Sequence, residues 1–374
     1  MAVPASVEEP SGAPESGRSA SMRVLLLPLN LASQGSVTVR ALRALGVDAR
    51  CLVLNNAVIQ DPRGIEGFEI SSPARHPLRG GLQALSWWRA VLGGLRWADV
   101  VHWQSTPCWL PFDFDLRYVA HLKRARIVEF WGSDIRVPEI ASADNPYMAS
   151  LYGEHPELAD GRSERSLRTQ RKFADHGFSC LVGDADMESY VRKDLFPAPY
   201  RVPARVLPEE FVPCYPNPDE TCPTVVHVPS HKVLKGTEHI LRAIDELQRE
   251  SRFNFRLIHG VEHAEALRLV STCDIMVDEV ISGAYGLAAI EAMAMGKPAV
   301  CYIKPSLRSS CPSELPIVSA NQDDLVSVLG ALLRDGERRH QVGRLGRAYV
   351  EKYHNGHLIA GRLVSIYRTL LRDG

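Results

Sequence analysis

The feature that most constrains this chain is a repeated alternation of short apolar runs with amphipathic helical periodicity, interrupted once. MRVLLLPLN (22–30) reads as a buried strand, and VTVRALRALG (37–46) reads as an amphipathic helix ending at a glycine. ARCLVLN, DVVHWQ, ARIVEF and FSCLVG are further strands with helical patterns between them. That order predicts a parallel, doubly wound α/β sheet. Residues 197–223 then hold eight prolines, too many for continuous helix or strand. Beyond them the alternation restarts, with TVVHVP, FNFRLIHG, DIMVDEV and PAVCYI as strands and helices near 237–250, 263–272, 286–296 and 322–334.

The expected organisation is therefore two Rossmann-like units, over 22–207 and 224–356, joined by a Pro-rich linker at 208–223. A C-terminal helix at 357–374 is expected to pack back on the first unit, and residues 1–21, rich in Pro, Ser, Gly, Ala and Glu, are expected to be disordered. Ligands of such sheets bind beyond the carboxyl ends of the strands, so two facing units create a cleft.

A net charge of −1 provides no basic field for nucleic acid. The eight cysteines are scattered without a C-x-x-C pair, which fits free thiols in a reducing compartment. No apolar run reaches membrane-spanning length, so a cytoplasmic protein is expected.

Within GAYGLAAIEAMAMGKPAV, Glu291 is the only charged residue of an otherwise apolar helix. A carboxylate there needs a partner. A core cation such as His227, His259 or Arg256 could serve, and so could the vicinal hydroxyls of a ribose. Upstream, VVHVPSHKVLKGTEHILRAIDEL reads as strand, loop and helix, with Lys232 and Lys235 in the loop and Gly236 opening the helix. Backbone N–H groups, a glycine and two of only eight lysines suit an anion. Gly286 marks a second helix start able to face the same anion.

Taken together, the K-x-x-K-G-T loop, DIMVDEVISGAYGLAAIEAMAMGKPAV and the closing helix resemble the donor half of GT-B glycosyltransferases of the retaining family 4 type. ALRALGVDAR, ADVVHWQ and FWGSDIR are similar to that family's acceptor-side motifs. The resemblance implies transfer of a sugar from a nucleoside-diphosphate sugar, without metal or organic cofactor, to a glycan, lipid-linked glycan or small-molecule acceptor. It implies that Lys232, Lys235 and Gly236 hold the diphosphate, with backbone N–H groups of Gly286 and Leu287. Glu291 would take the ribose hydroxyls, Gly260 and Val261 the base, and Gly283 and Tyr285 would lie by the sugar. Gly35 would lie near the donor phosphate, and Gln34, Gln104, Trp131, Ser133 and Arg136 on the acceptor side, with His102 and Asp134 at the reacting centre. Two positions depart from the pattern. Gly283 stands where the first of two glutamates is usual, for which Asp278 or Glu279 could compensate, and Ser230 replaces a basic residue.

DFD (113–115) and DAD (184–186) read as helix caps rather than metal ligands. The segment 80–101 carries Trp87, Trp88 and Trp97 among arginines and reads as a core-facing helix, with a membrane surface as the alternative. Arginines 162, 165, 168 and 171 read as a solvated helix face. Two other functions fit the resemblance: a nucleotide-sugar epimerase and a non-catalytic nucleotide-sugar-binding partner. A dinucleotide oxidoreductase is disfavoured because neither first βα turn carries G-x-G-x-x-G.

Overall fold

The computed structural model describes residues 21–57, 60–71, 77–106 and 110–373. The expected N-terminal tail and Cys108 lie outside the described residues, apart from Ser21. The chain builds two wholly parallel sheets. The first contains β1 (Arg23–Leu27), β2 (Asp48–Leu54), β3 (Glu66–Phe68), β4 (Val100–Gln104), β5 (Ala125–Phe130), β6 (Ser179–Val182) and β7 (Tyr200–Arg201), in spatial order 3-2-1-4-5-6-7. The second contains β8 (Thr224–His227), β9 (Asn254–Leu257), β10 (Ile275–Val277) and β11 (Ala299–Val300), in order 11-10-8-9.

Strand order reverses beside β1 in the first sheet and beside β8 in the second, so each has a switch point where loops diverge and leave a crevice. Central strands such as Val24–Leu27 and Val225–Val226 are fully buried, as strands covered by helices on both faces must be. One face of the first sheet is covered by the helices Pro77–Trp97, Phe114–His121 and Arg162–Ala174. Its other face packs on the Gln34–Ala44 helix and, from the far end of the chain, on the Gly356–Asp373 helix through Ile359, Leu363 and Tyr367.

The proline-rich connector is extended and clamped rather than loose. Arg347 donates to the carbonyls of Pro208, Phe211 and Ala294, and His354 Nδ1 donates to Ala204 O at 2.7 Å. No described helix is long and apolar enough to cross a membrane.

Candidate active site

β8 ends at His227, and the backbone re-enters a helical turn at Lys232–Lys235, closed by Gly236 in the left-handed region (φ 72°). A Cβ on Gly236 would lie 2.6 Å from Val280 Cγ2, so close packing as well as conformation requires glycine here. Lys235 points inward. Its Nζ lies 2.8 Å from Asp278 Oδ1 and 2.7 Å from Glu279 Oε2. Burial alone would lower the Lys235 pKa, but the two carboxylates outweigh it and hold the ammonium well above its usual value. The other oxygen of Asp278 accepts from Gly286 N at 3.4 Å, at the start of the Leu287–Ala294 helix. Asp278 and Glu279, the acids that could compensate for the glutamate missing at 283, are thus both paired with Lys235. Lys232 is exposed on the outer side of its turn and does not line the cavity that Lys235 reaches.

Glu291 has a protein partner, and it is neither His227 nor His259 nor Arg256. Its Oε1 sits 2.8 Å from His263 Nε2, at the first turn of the His263–Ser271 helix. The hydrogen bond to Glu291 raises the His263 pKa against burial. Nothing in the local sequence marked His263, because that pairing depends on how two helices cross. His227 is instead buried and neutral. Its Nδ1 donates to Val277 O and its Nε2 faces the Thr237 hydroxyl, and burial lowers its pKa to about 4.

Two large cavities flank the Leu287–Ala294 helix. One, of about 400 Å³, opens at the carboxyl ends of β8 and β9 and is walled by Pro229, His259, Gly260, Val261, Lys235 and Glu291. Ala32 and Ser33 of the first half close it from across the cleft, both at positive φ (47° and 61°). The second, of about 410 Å³, lies on the helix's other flank and is called the aromatic cavity for the Trp131, Tyr285, Tyr349 and Tyr353 side chains among its mainly aliphatic walls. Ala32 and Leu287 line both. Asp184, also in the second cavity, caps the Ala185–Ser189 helix by accepting from Met187 N, and burial raises its pKa.

Gly283 reaches neither cavity. It lies at φ 82°, and a Cβ there would lie 2.9 Å from Lys304 Cβ and 3.0 Å from Asn145 Nδ2. The space a glutamate would need is filled by a cross-cleft contact. Asn145 donates to Ile281 O and Ser282 O, and Lys304 pairs with Asp186 at 2.6 Å and Asp144 at 2.9 Å.

Several residues of the first half stand elsewhere than the sequence suggested. His102 is fully buried, with Nδ1 2.6 Å from Tyr367 Oη and Nε2 3.1 Å from Glu129 Oε2. Glu129 is held by both terminal nitrogens of Arg205 at 2.8 Å. Burial would raise the Glu129 carboxyl, yet Arg205 and His102 bring it down to about 2. His102 therefore belongs to a buried network with Glu129 and Arg205 and lines neither cavity. Gln104 is likewise fully buried, and neither of its amide atoms has a partner among the described residues. Asp134 accepts from the backbone N–H groups of Trp131, Gly132 and Ile135, which makes it a turn cap. Gly35 is packed against Cys51 and Asn30. Gln34 does line the aromatic cavity, but its amide is committed to the backbone of Arg205. Ser133 is exposed, and neither it nor half-buried Arg136 lines either cavity. Of the two acidic triplets, Asp113 pairs with Lys172 and Asp186 with Lys304.

Residues 246–349 match the family described as glycosyl transferases group 1. No curated protein matches the chain. Among solved structures, sucrose-phosphate synthase from Thermosynechococcus elongatus superposes with a TM-score of 0.61 at 14% identity, over 95% of this chain and 100% of that one. WaaG, a glycosyltransferase involved in lipopolysaccharide biosynthesis, gives 0.59 at 12% identity, over 92% and 99%. HepE from Anabaena, in complex with UDP and glucose, gives 0.56 at 12% identity, over 93% and 100%. The architecture is the GT-B fold of two Rossmann-like parallel sheets, as the sequence resemblance implied.

Proposed function

We propose that the chain transfers a sugar from a nucleoside-diphosphate sugar to an acceptor hydroxyl or other nucleophile, with retention of anomeric configuration, in glycan, glycoconjugate or natural-product synthesis. The observation that carries this reading is Glu291, set in the wall of the β8–β9 cavity with His263 as its partner. A ribose there would offer two hydroxyl donors to the carboxylate. The base would lie against Gly260 and Val261, and the diphosphate would reach the N–H groups of Gly286 and Leu287. Negative charge grows on the leaving diphosphate as the glycosidic bond breaks, and Lys235 with the helix start would stabilise it.

Retention is supported by the engagement of His102 and Asp134 within the first half. With neither available as a base, the acceptor proton would pass to the donor phosphate on the attacked face. Capture of UDP and glucose by HepE, which has the same fold, supports a nucleotide sugar as donor. The reading includes no metal or organic cofactor and a cytoplasmic location.

The test is thermal unfolding with UDP, GDP, ADP, dTDP and CDP, on wild type and Lys235→Ala. A ligand at a hundredfold excess over its dissociation constant stabilises by about 2.7 kcal/mol, a midpoint shift of roughly 5–10 °C for a chain this large. One nucleotide should raise the midpoint in wild type alone, and its sugar conjugates should then be consumed in the presence of acceptors. No shift with any of the five would overturn the reading. A shift without turnover would favour a non-catalytic binding partner.

A further inference from the structure

The Pro77–Trp97 helix buries one side and leaves the other apolar. Trp87, Val91 and Leu95 are fully buried against the first sheet. Leu78, Leu82 and Leu85, spaced to share the opposite side, are 85%, 71% and 52% exposed. The Phe114–His121 helix packs beside it, and at its start Phe112 and Phe114 are 88% and 49% exposed. The tryptophans that drew attention in the sequence thus belong mainly to the core, and the outward apolar residues are leucines and phenylalanines. A monomeric soluble surface rarely gathers so many large apolar side chains without a partner.

Charge identifies the partner. The Pro77–Trp97 helix carries Arg79, Arg89 and Arg96, all exposed, and no acidic residue. Arg117 and Lys123 are exposed on the neighbouring helix and its end. Of the acids there, Asp113 pairs with Lys172 and Asp115 is fully buried. The nearest exposed acids in sequence are Glu66 and Glu69, on and just after the edge strand β3. We propose that this leucine and phenylalanine face, ringed by arginines, docks on an anionic lipid bilayer. Apolar side chains enter the boundary between headgroups and acyl chains while guanidinium groups bind lipid phosphates.

Topology fixes the orientation. The two helices follow β3 and β4, so both begin at the carboxyl edge of the first sheet. Leu78, Leu82, Leu85 and the two phenylalanines occupy the first turns, at the edge on which the cleft opens. The docked chain holds its cleft mouth toward the membrane surface.

The experiment is co-sedimentation of the full chain with phosphatidylcholine vesicles, with and without phosphatidylglycerol. Binding should be about tenfold stronger with the anionic lipid and should fall as salt rises. Leu82→Ser with Phe112→Ser, and separately Arg89→Glu with Arg96→Glu, should each lose about tenfold in binding. Their unfolding midpoints should stay at the wild-type value, which separates loss of docking from loss of fold. The assay uses no nucleotide, so its outcome does not depend on the reaction proposed above. Absence of vesicle binding by wild type, or variants that bind as wild type does, would overturn the proposal. So would a wild-type dimer that the Leu82→Ser, Phe112→Ser variant turns into a monomer, since a second copy would then cover the face.

Discussion

Lys235 Nζ stands 2.8 Å from Asp278 Oδ1, and the other oxygen of that carboxylate meets Gly286 N at 3.4 Å. Asp278 thus holds the position between cation and helix start that an incoming diphosphate would need. Two opposite charges about 4 Å apart near a protein surface interact by roughly 4 kcal/mol, and like charges repel by as much. Asp278→Asn should therefore tighten nucleoside-diphosphate binding by about tenfold or more, since a repulsion of even about 1.4 kcal/mol is worth that factor. Lys235→Ala should abolish the binding. Calorimetric titration would check both; weaker binding in Asp278→Asn would mean that the carboxylate serves to position the lysine.

If the nucleotide binds as proposed, the Glu291–His263 pair should make its affinity pH-dependent. The His263 pKa is raised in the folded chain, so the pair's contribution to stability is fully present below about 6.5 and fades as pH rises through the raised value. A ribose that takes Glu291 from His263 lets the imidazolium release its proton. Affinity should then rise with pH across that window, and should become flat in His263→Gln. Titration in buffers of different ionisation heat counts the protons; none released would mean that Glu291 does not receive the diol.

Restoring the glutamate at position 283 should not restore a function. Gly283→Glu places a Cβ against Lys304 and Asn145 at left-handed φ, both sources of strain. Urea unfolding should show a loss of about 1–3 kcal/mol, and turnover should fall. A variant more active than wild type would show that the cross-cleft contact yields to the sugar.

His227 and His354 should make the fold less stable as pH falls. Burial lowers both from 6.5 to about 4 in the folded chain. A depressed folded value means that the stability from keeping each ring neutral is present above 6.5 and is lost as pH falls toward 4. Each represents roughly 3 kcal/mol at most. Urea midpoints measured between pH 7 and pH 4 should fall steadily, and more gently in His227→Gln, whose amide can still reach Thr237.

The two parallel sheets were legible from apolar runs such as Val24–Leu27 and Val225–Val226, whereas the spatial order of their strands was not. The edge strands Glu66–Phe68 and Tyr200–Arg201 are too short and too polar to stand out from loops. At the site, Glu291 and Gly286 were legible because a lone carboxylate and a helix-opening glycine are local anomalies. His102 and Asp134 misled for a related reason. A polar residue at a strand end looks the same in sequence whether it faces a substrate or, as His102 does, a tyrosine from the last helix. Only packing reveals Tyr367, or brings Asn145 under the Gly283 loop.

That last helix bears on how the protein is made. Ile359, Leu363 and Tyr367 complete the apolar layer over Val24 and Leu26. A ribosome that has translated the chain as far as Pro223 has delivered every strand of the first sheet but not its final cover. The nascent half must wait with a greasy face open until the second half has been synthesised. A product released early at the proline-rich stretch would keep that face open, and would be a ready target for chaperones and proteases.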